Sequence, residues 1–309
     1  MKNIWKTGIY LLVIWLLCAI VMTGCGEKKD PLNASEGLDF ASNNDGTCCV
    51  IGIGDCMDID VVIPSVSPDG DRVTGIGDGA FRDCVDITSI IIPDGVTAIE
   101  NNAFLGCVAL ASIAIPNSVT SIGSCVFSGC AVLTSVTIPD SMTYIDDWTF
   151  CDCIGLTSIT VPPNVTSIGA YAFMGCTSLS EITLPDSVTS IGRHAFDLCT
   201  SLSGVNIPDG VIIIEENTFS GCVSFTNVVI PDGVTAIGPS AFGVCVSLAS
   251  VTIPNSVTSI GGSAFGGCIS LERVEFMGSR DQWESIEITG ENSILLSVDI
   301  HYVDGDIAP

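Results

Sequence analysis

The sequence predicts an α/β repeat fold: a solenoid of 23-residue units with a parallel β-sheet on one face and short helical or irregular turns on the other. Three columns of residues predict it. Pro recurs at 93, 116, 139, 162, 185, 208, 231 and 254, a constant step of 23. Cys keeps the same step from Cys84 to Cys268, and Phe keeps it from Phe81 to Phe265. Self-similarity at a fixed period of this length is the signature of a stacked architecture. One unit cannot bury its apolar side alone, so neighbours must build the core between them.

Each unit opens with a short strand. In Leu133-Thr134-Ser135-Val136-Thr137-Ile138-Pro139 the alternation turns Leu133, Val136 and Ile138 inward and Ser135 and Thr137 outward. Pro-Asp-Gly or Pro-Asn-Ser then turns the chain. Val-Thr-Ser-Ile follows as a second extended piece, and Gly-x-x-Ala-Phe-x-Gly-Cys returns the chain to the next strand.

These units resemble those of the BspA-like leucine-rich-repeat family, IPDSVTSIGxxAFxGCxSLxxV, over residues 46–303. The resemblance implies a leucine-rich-repeat solenoid on a bacterial surface and, by fold-level analogy, a role in adhesion. It divides the chain into a signal peptide at 1–24, a polar tether at 25–45, an amino-terminal cap with a partial repeat at 46–75, nine repeats at 76–268, and a carboxy-terminal cap and tail at 269–309. In the first cap Cys56 starts the Cys column one residue short, and Ser65–Arg72 is an inserted loop. After Cys268 the pattern dissolves into charge around Trp283, as expected of a cap that shields the last apolar rung.

The first 25 residues carry Lys2 and Lys6, an apolar run over Gly8–Val21, and Met22-Thr23-Gly24-Cys25. The run is short for a membrane span. Its end resembles a bacterial lipobox, which implies cleavage before Cys25 and a lipid on that sulfur. Met22 stands where Leu is usual, and an uncleaved amino-terminal anchor is the alternative. The membrane is then reached through the lipid anchor alone.

The formal net charge is −26, and between Pro93 and Cys268 the only basic residue is Arg193. Nucleic acid is excluded as a partner, since no basic stripe exists to displace counterions from phosphates. Anionic lipid head groups are equally disfavoured.

Sixteen cysteines raise the question of disulfides or metal. In-register side chains on stacked turns point the same way, whereas a disulfide needs facing Cβ atoms. The column therefore reads as small buried thiols filling the inside of each turn. Cys125 and Cys151, on adjacent turns, remain a possible pair, and Cys48 and Cys49 have no derivable partner. No Cys-x-x-Cys pair points to zinc. A turn-Asp column at Asp94, Asp140, Asp186, Asp209 and Asp232 is ordinary turn chemistry and is interrupted by Asn117, Pro163 and Asn255.

No catalytic set can be assembled. His194 and His301 are the two histidines and lie far apart in the chain, and no nucleophile elbow or phosphate-cradling loop is present. No enzyme activity and no cofactor are expected.

Departures from the repeat are the informative residues. The strand's outward positions, Ser89 to Arg273 and Ile91 to Glu275, hold no aromatic residue, and their one Arg is Arg273 at the cap. Hot spots favour Trp, Tyr and Arg, so this face is a poor anchor. The second variable position between Ile-Gly and Ala-Phe differs. Three consecutive turns place Trp148, Tyr171 and His194 there, flanked by Asp147 and Arg193. Trp and Tyr join large apolar area to a polar tip, the make-up of a binding patch. The alternative is that these side chains fold over the edge of the solenoid and fill gaps. The sequence thus leads to a monomeric, non-catalytic surface lipoprotein that binds protein or glycan, with a rigid envelope spacer as the second reading.

Overall fold

A computed structural model describes residues 34–303. The expected signal peptide at 1–24 and the expected lipid attachment at Cys25 lie outside the described residues. Within them the chain is a stack of turns whose short strands line up on two faces as parallel ladders, each face divided into shorter sheets.

The first sheet takes three-residue strands such as Ser112–Ala114, Ser135–Thr137 and Ser158–Thr160. Register is in step with the repeat, Ser112 facing Ser135 and Ile113 facing Val136. Leu133, Val136 and Ile138 are buried while Ser135 and Thr137 are exposed, as the alternation requires. The second extended piece forms the other sheet, from two-residue strands such as Ser167–Ile168 and Ser190–Ile191.

The third side corrects the α/β expectation. The repeats contain no helix; the described helices are Arg280–Glu284 and Ser293–Ser297, both in the carboxy-terminal cap. The Ala-Phe-x-Gly-Cys stretch is instead a run of overlapping turns. Cys153 N donates to Phe150 O at 3.2 Å within the turn, while Phe150 N donates to Ala172 O at 2.8 Å on the next turn. Two residues per turn have positive φ, a conformation that stops an α-helix from propagating. One of the two is often glycine, as at Gly106 and Gly129, both with φ 74. The molecule is therefore a β-solenoid with an irregular turn face.

The core is a set of parallel ladders. Nine Phe rings, Phe81 to Phe265 at the 23-residue step, stack with centroids 5.3–5.6 Å apart and planes within 15°. The Cys column lies beside them, fully buried from Cys107 to Cys268.

Both ends are closed. The strand Asp39–Ser42 pairs antiparallel with Thr47–Gly52, which in turn pairs parallel with Arg72–Ile76. Leu38 is already buried, so the cap begins inside the stretch assigned to the tether at 25–45. Its few apolar residues, Leu38 and Phe40, were hidden among polar neighbours. The partial repeat is in place: Asp60 pairs with Ser89, four residues after Cys56 against five after Cys84. At the far end Arg273–Met277 pairs with Asp299–Tyr302, and buried Trp283 packs edge-on against Phe276 at 5.3 Å. His301 is in that last strand.

The ladders are interrupted at two levels of the stack: the second sheet first breaks between Ser121–Ile122 and Tyr144–Ile145, and both sheets break further along. Residues 203–207 form no strand, and the second sheet breaks between Ser190–Ile191 and Ile213–Ile214. Here Asn206 stands in for the missing backbone: its Nδ2 donates to Leu184 O at 2.9 Å and its Oδ1 accepts from Leu184 N at 3.2 Å.

Candidate functional site

The turn face holds the candidate residues. At each turn the residue of the variable column donates its N–H to a carbonyl on the next turn: Trp148 to Ala170 at 3.0 Å, Tyr171 to Arg193 at 3.0 Å, His194 to Glu216 at 2.9 Å. These bonds hold successive Cα–Cβ vectors in step, so the rings superpose. Trp148 and Tyr171 lie 4.0 Å apart between centroids and Tyr171 and His194 4.6 Å, both pairs within 11° of parallel.

The backbone beneath this ladder is unusual. The column has positive φ throughout, from Gly79 and Asn102 through Cys125 to Asn217, Ser240 and Ser263. Trp148 and Tyr171 have φ 60 and His194 φ 55. A bulky L-residue in this region is strained by about 1–2 kcal/mol, so three cost about 3–6 kcal/mol. Two stacked pairs return about 0.5–1.5 kcal/mol each beyond the apolar area they bury. Stacking alone does not repay the strain that Gly or Asn would avoid.

His194 closes the ladder through polar contacts. Its Nδ1 is 2.9 Å from Asp197 Oδ2 and its Nε2 is 3.3 Å from Asn217 Nδ2. Asp197 and Asn217 thus hold the two ring nitrogens of His194 from opposite sides. Arg193 is exposed, with its guanidinium carbon 5.6 Å from the Tyr171 centroid. Asp147 is also exposed but is engaged in bracing: its Oδ1 accepts from Ala170 N at 2.7 Å. The structure therefore brings Trp148, Tyr171, His194 and Arg193 together, with Asp147 as a support beside them.

Sequence reasoning missed Asp197 and Asn217, which fix the imidazole, and it missed the positive φ. Gly79, Asn102 and Asn217 in one column were the available signal for the latter.

The buried thiols are occupied otherwise. In the repeat column, each Cys from Cys107 to Cys268 donates to the Phe carbonyl of the preceding turn, for example Cys130 to Phe104 at 3.3 Å and Cys176 to Phe150 at 3.1 Å. Burial pushes the Cys107 thiol up to about 12, and that of Cys153 well above its ordinary value. Thiols held protonated this way are poor nucleophiles and poor metal ligands. The fourteen described cysteines are free, Cys125 and Cys151 among them. Among the described residues no three His, Cys, Asp or Glu side chains converge on a metal position. No described helix is long and apolar enough to cross a membrane.

Fold and turn face together define a parallel-stranded repeat scaffold with 23-residue turns. The BspA-type leucine-rich repeat region matches in six copies over residues 74–202 and 166–288. The chain belongs to this family. No curated protein matches the chain. Among solved structures, a leucine-rich cell surface protein from Faecalibacterium prausnitzii is 25% identical, with 87% of this chain and 99% of that one covered and a TM-score of 0.36. The leucine-rich repeat protein of T. pallidum is 24% identical over 79% and 91%, with a TM-score of 0.46. One from Bacteroides ovatus is 24% identical over 87% and 98%, with a TM-score of 0.37.

Proposed function

We propose that the chain is a non-catalytic, exported surface protein, lipid-anchored through Cys25, whose solenoid binds protein or glycan through Trp148, Tyr171 and His194. One observation carries the reading. Three large rings occupy consecutive turns at a column whose backbone favours Gly and Asn, at a cost that stacking does not offset. Residues kept at a local cost are the ones for which a binding role is the natural explanation. Arg193 adds a cation that is in none of the ion pairs among the described residues. Membership of a family with a surface-protein relative supports export.

A second reading, the rigid envelope spacer, is favoured by the strand face. Its outward positions from Ser112 to Thr183 carry Ser, Ala, Thr and one Glu, with nothing to anchor a partner.

The test is partner capture from envelope and host-surface extracts by the full chain in detergent. A Trp148→Ala, Tyr171→Ala, His194→Ala variant of verified folding runs beside it. A partner held by the first and lost by the second supports the site. A partner held by both keeps the binding role and moves the site. Retention by neither shifts the account to the spacer.

A further inference from the structure

We propose that the turn face carries an elongated site for a linear, uncharged glycan, running along the solenoid axis from the ring ladder into a groove beside the carboxy-terminal cap. The inference rests on the reading of Trp148, Tyr171 and His194 as a contact site. It adds a ligand class and a second half to that site.

A groove of about 550 Å³ is lined by Asn217, Ser220, Ser240, Ser263, Glu291 and Asn292, among others. That volume is in the range of small-molecule sites, roughly 300–1,000 Å³. The groove begins where the ladder ends, since Asn217 is the residue that contacts His194 Nε2. Ser240 and Ser263 continue the same positive-φ column, with φ 51 and 55. Read along the axis, one column therefore runs through three rings, an amide and two hydroxyls.

The far end holds an unpartnered group. Asn292 is 4% exposed, and its Nδ2 donates to Gly261 O and Thr289 O, both at 2.9 Å. Its Oδ1 is buried without a hydrogen-bond partner. A buried acceptor left unpaired costs free energy, and native structures rarely keep one without a reason. Asn292 lines the groove, so a small outward turn of its side chain would offer this oxygen to a ligand hydroxyl.

The chemistry of the strip selects the ligand class. Hydroxyls, amides and the Glu291 carboxylate exchange hydrogen bonds with hydroxyl groups. No cation lines the groove, and Glu215 and Glu216 directly precede Asn217 at its ladder end, so an acidic sugar or a phosphate is repelled. Spacing separates a glycan from a peptide. The turns present their groups every 4.0–5.6 Å, as the ring and Phe ladders show. An extended peptide advances about 3.3 Å per residue and falls out of step within a few residues, whereas a sugar ring is about as long as one turn is high. The ring faces are spent on one another, so the sugars cross the ladder's edges and meet its polar tips.

The experiment presents the full chain, in detergent micelles, to an array of neutral linear glucan, chitin, mannan and xylan oligomers. Heparin oligomers and a lysine-rich decapeptide form the comparison arms. At least one neutral glycan is expected to bind. Glu291→Gln and Trp148→Asn should each weaken it by about tenfold, the scale of one charge-assisted or hot-spot contact, and Ser220→Trp should block the groove. Melting curves verify that each variant is folded. The proposal is overturned if no neutral glycan is retained, or if retention survives both Glu291→Gln and Ser220→Trp. Retention of the decapeptide alone, lost in Trp148→Asn but kept in Glu291→Gln, overturns the glycan while leaving the ladder as a contact site.

Discussion

The thiol of Cys153 donates to the carbonyl oxygen of Phe127 at 3.1 Å, one turn back along the solenoid. The same bond recurs from Cys107 to Cys268, so the Cys column is a ladder of donors as well as a filler of space. Cys is small enough for the inside of the turn and still offers a hydrogen.

This makes alkaline stability a test. Burial raises the thiols of Cys107, Cys130, Cys153, Cys176, Cys199 and Cys222, that of Cys107 to about 12. In the unfolded chain the same thiols ionise from about pH 8.5. The folded state binds these protons more tightly, so its stability is intact below that pH and is lost as pH rises, for Cys107 until about 12. Each thiol contributes a slope of about 1.4 kcal/mol per pH unit above the unfolded value. Circular dichroism against pH should show cooperative unfolding above pH ~9, with a shallower dependence in a Cys153→Ala, Cys176→Ala variant. A structure unchanged far into the alkaline range would contradict the ladder.

The Phe column is the other half of the core. Phe150 is 1% exposed and stacks between Phe127 and Phe173 at 5.5 and 5.3 Å. Phe150→Ala should cost about 3–5 kcal/mol in denaturant unfolding, while a conservative Phe150→Leu should cost less because it leaves a smaller cavity.

At the second interruption the amide of Asn206 satisfies both backbone groups of Leu184. Asn206→Ala strands those groups and should cost about 1–3 kcal/mol. Asn206→Thr matches the outward Thr of the regular strands and should recover part of that loss if the strand then forms. Equal stability of all three forms would show that the amide carries no structural role.

Much of this was legible in the sequence because stacking forces every turn to repeat the same contacts. The 23-residue step located the strands, the buried Phe and Cys columns, and the column holding Trp148, Tyr171 and His194. What stayed hidden depends on contacts between turns rather than on residue type. Cys reads as a small hydrophobe until its carbonyl partner is seen. The turn face reads as helix or loop until positive φ at Trp148 and Gly106 rules out the helix. The first cap strand, Asp39–Ser42, has no repeat to betray it.

Whether the ladder exists for contact or for stability is decided most directly by the melting temperature of Trp148→Asn, Tyr171→Asn, His194→Asn, measured beside its capture of partner. Asn accepts positive φ with little strain, so the account predicts a melting temperature equal to or above that of the natural chain, with the partner lost. A melting temperature lowered by several degrees, with the partner still held, would contradict it.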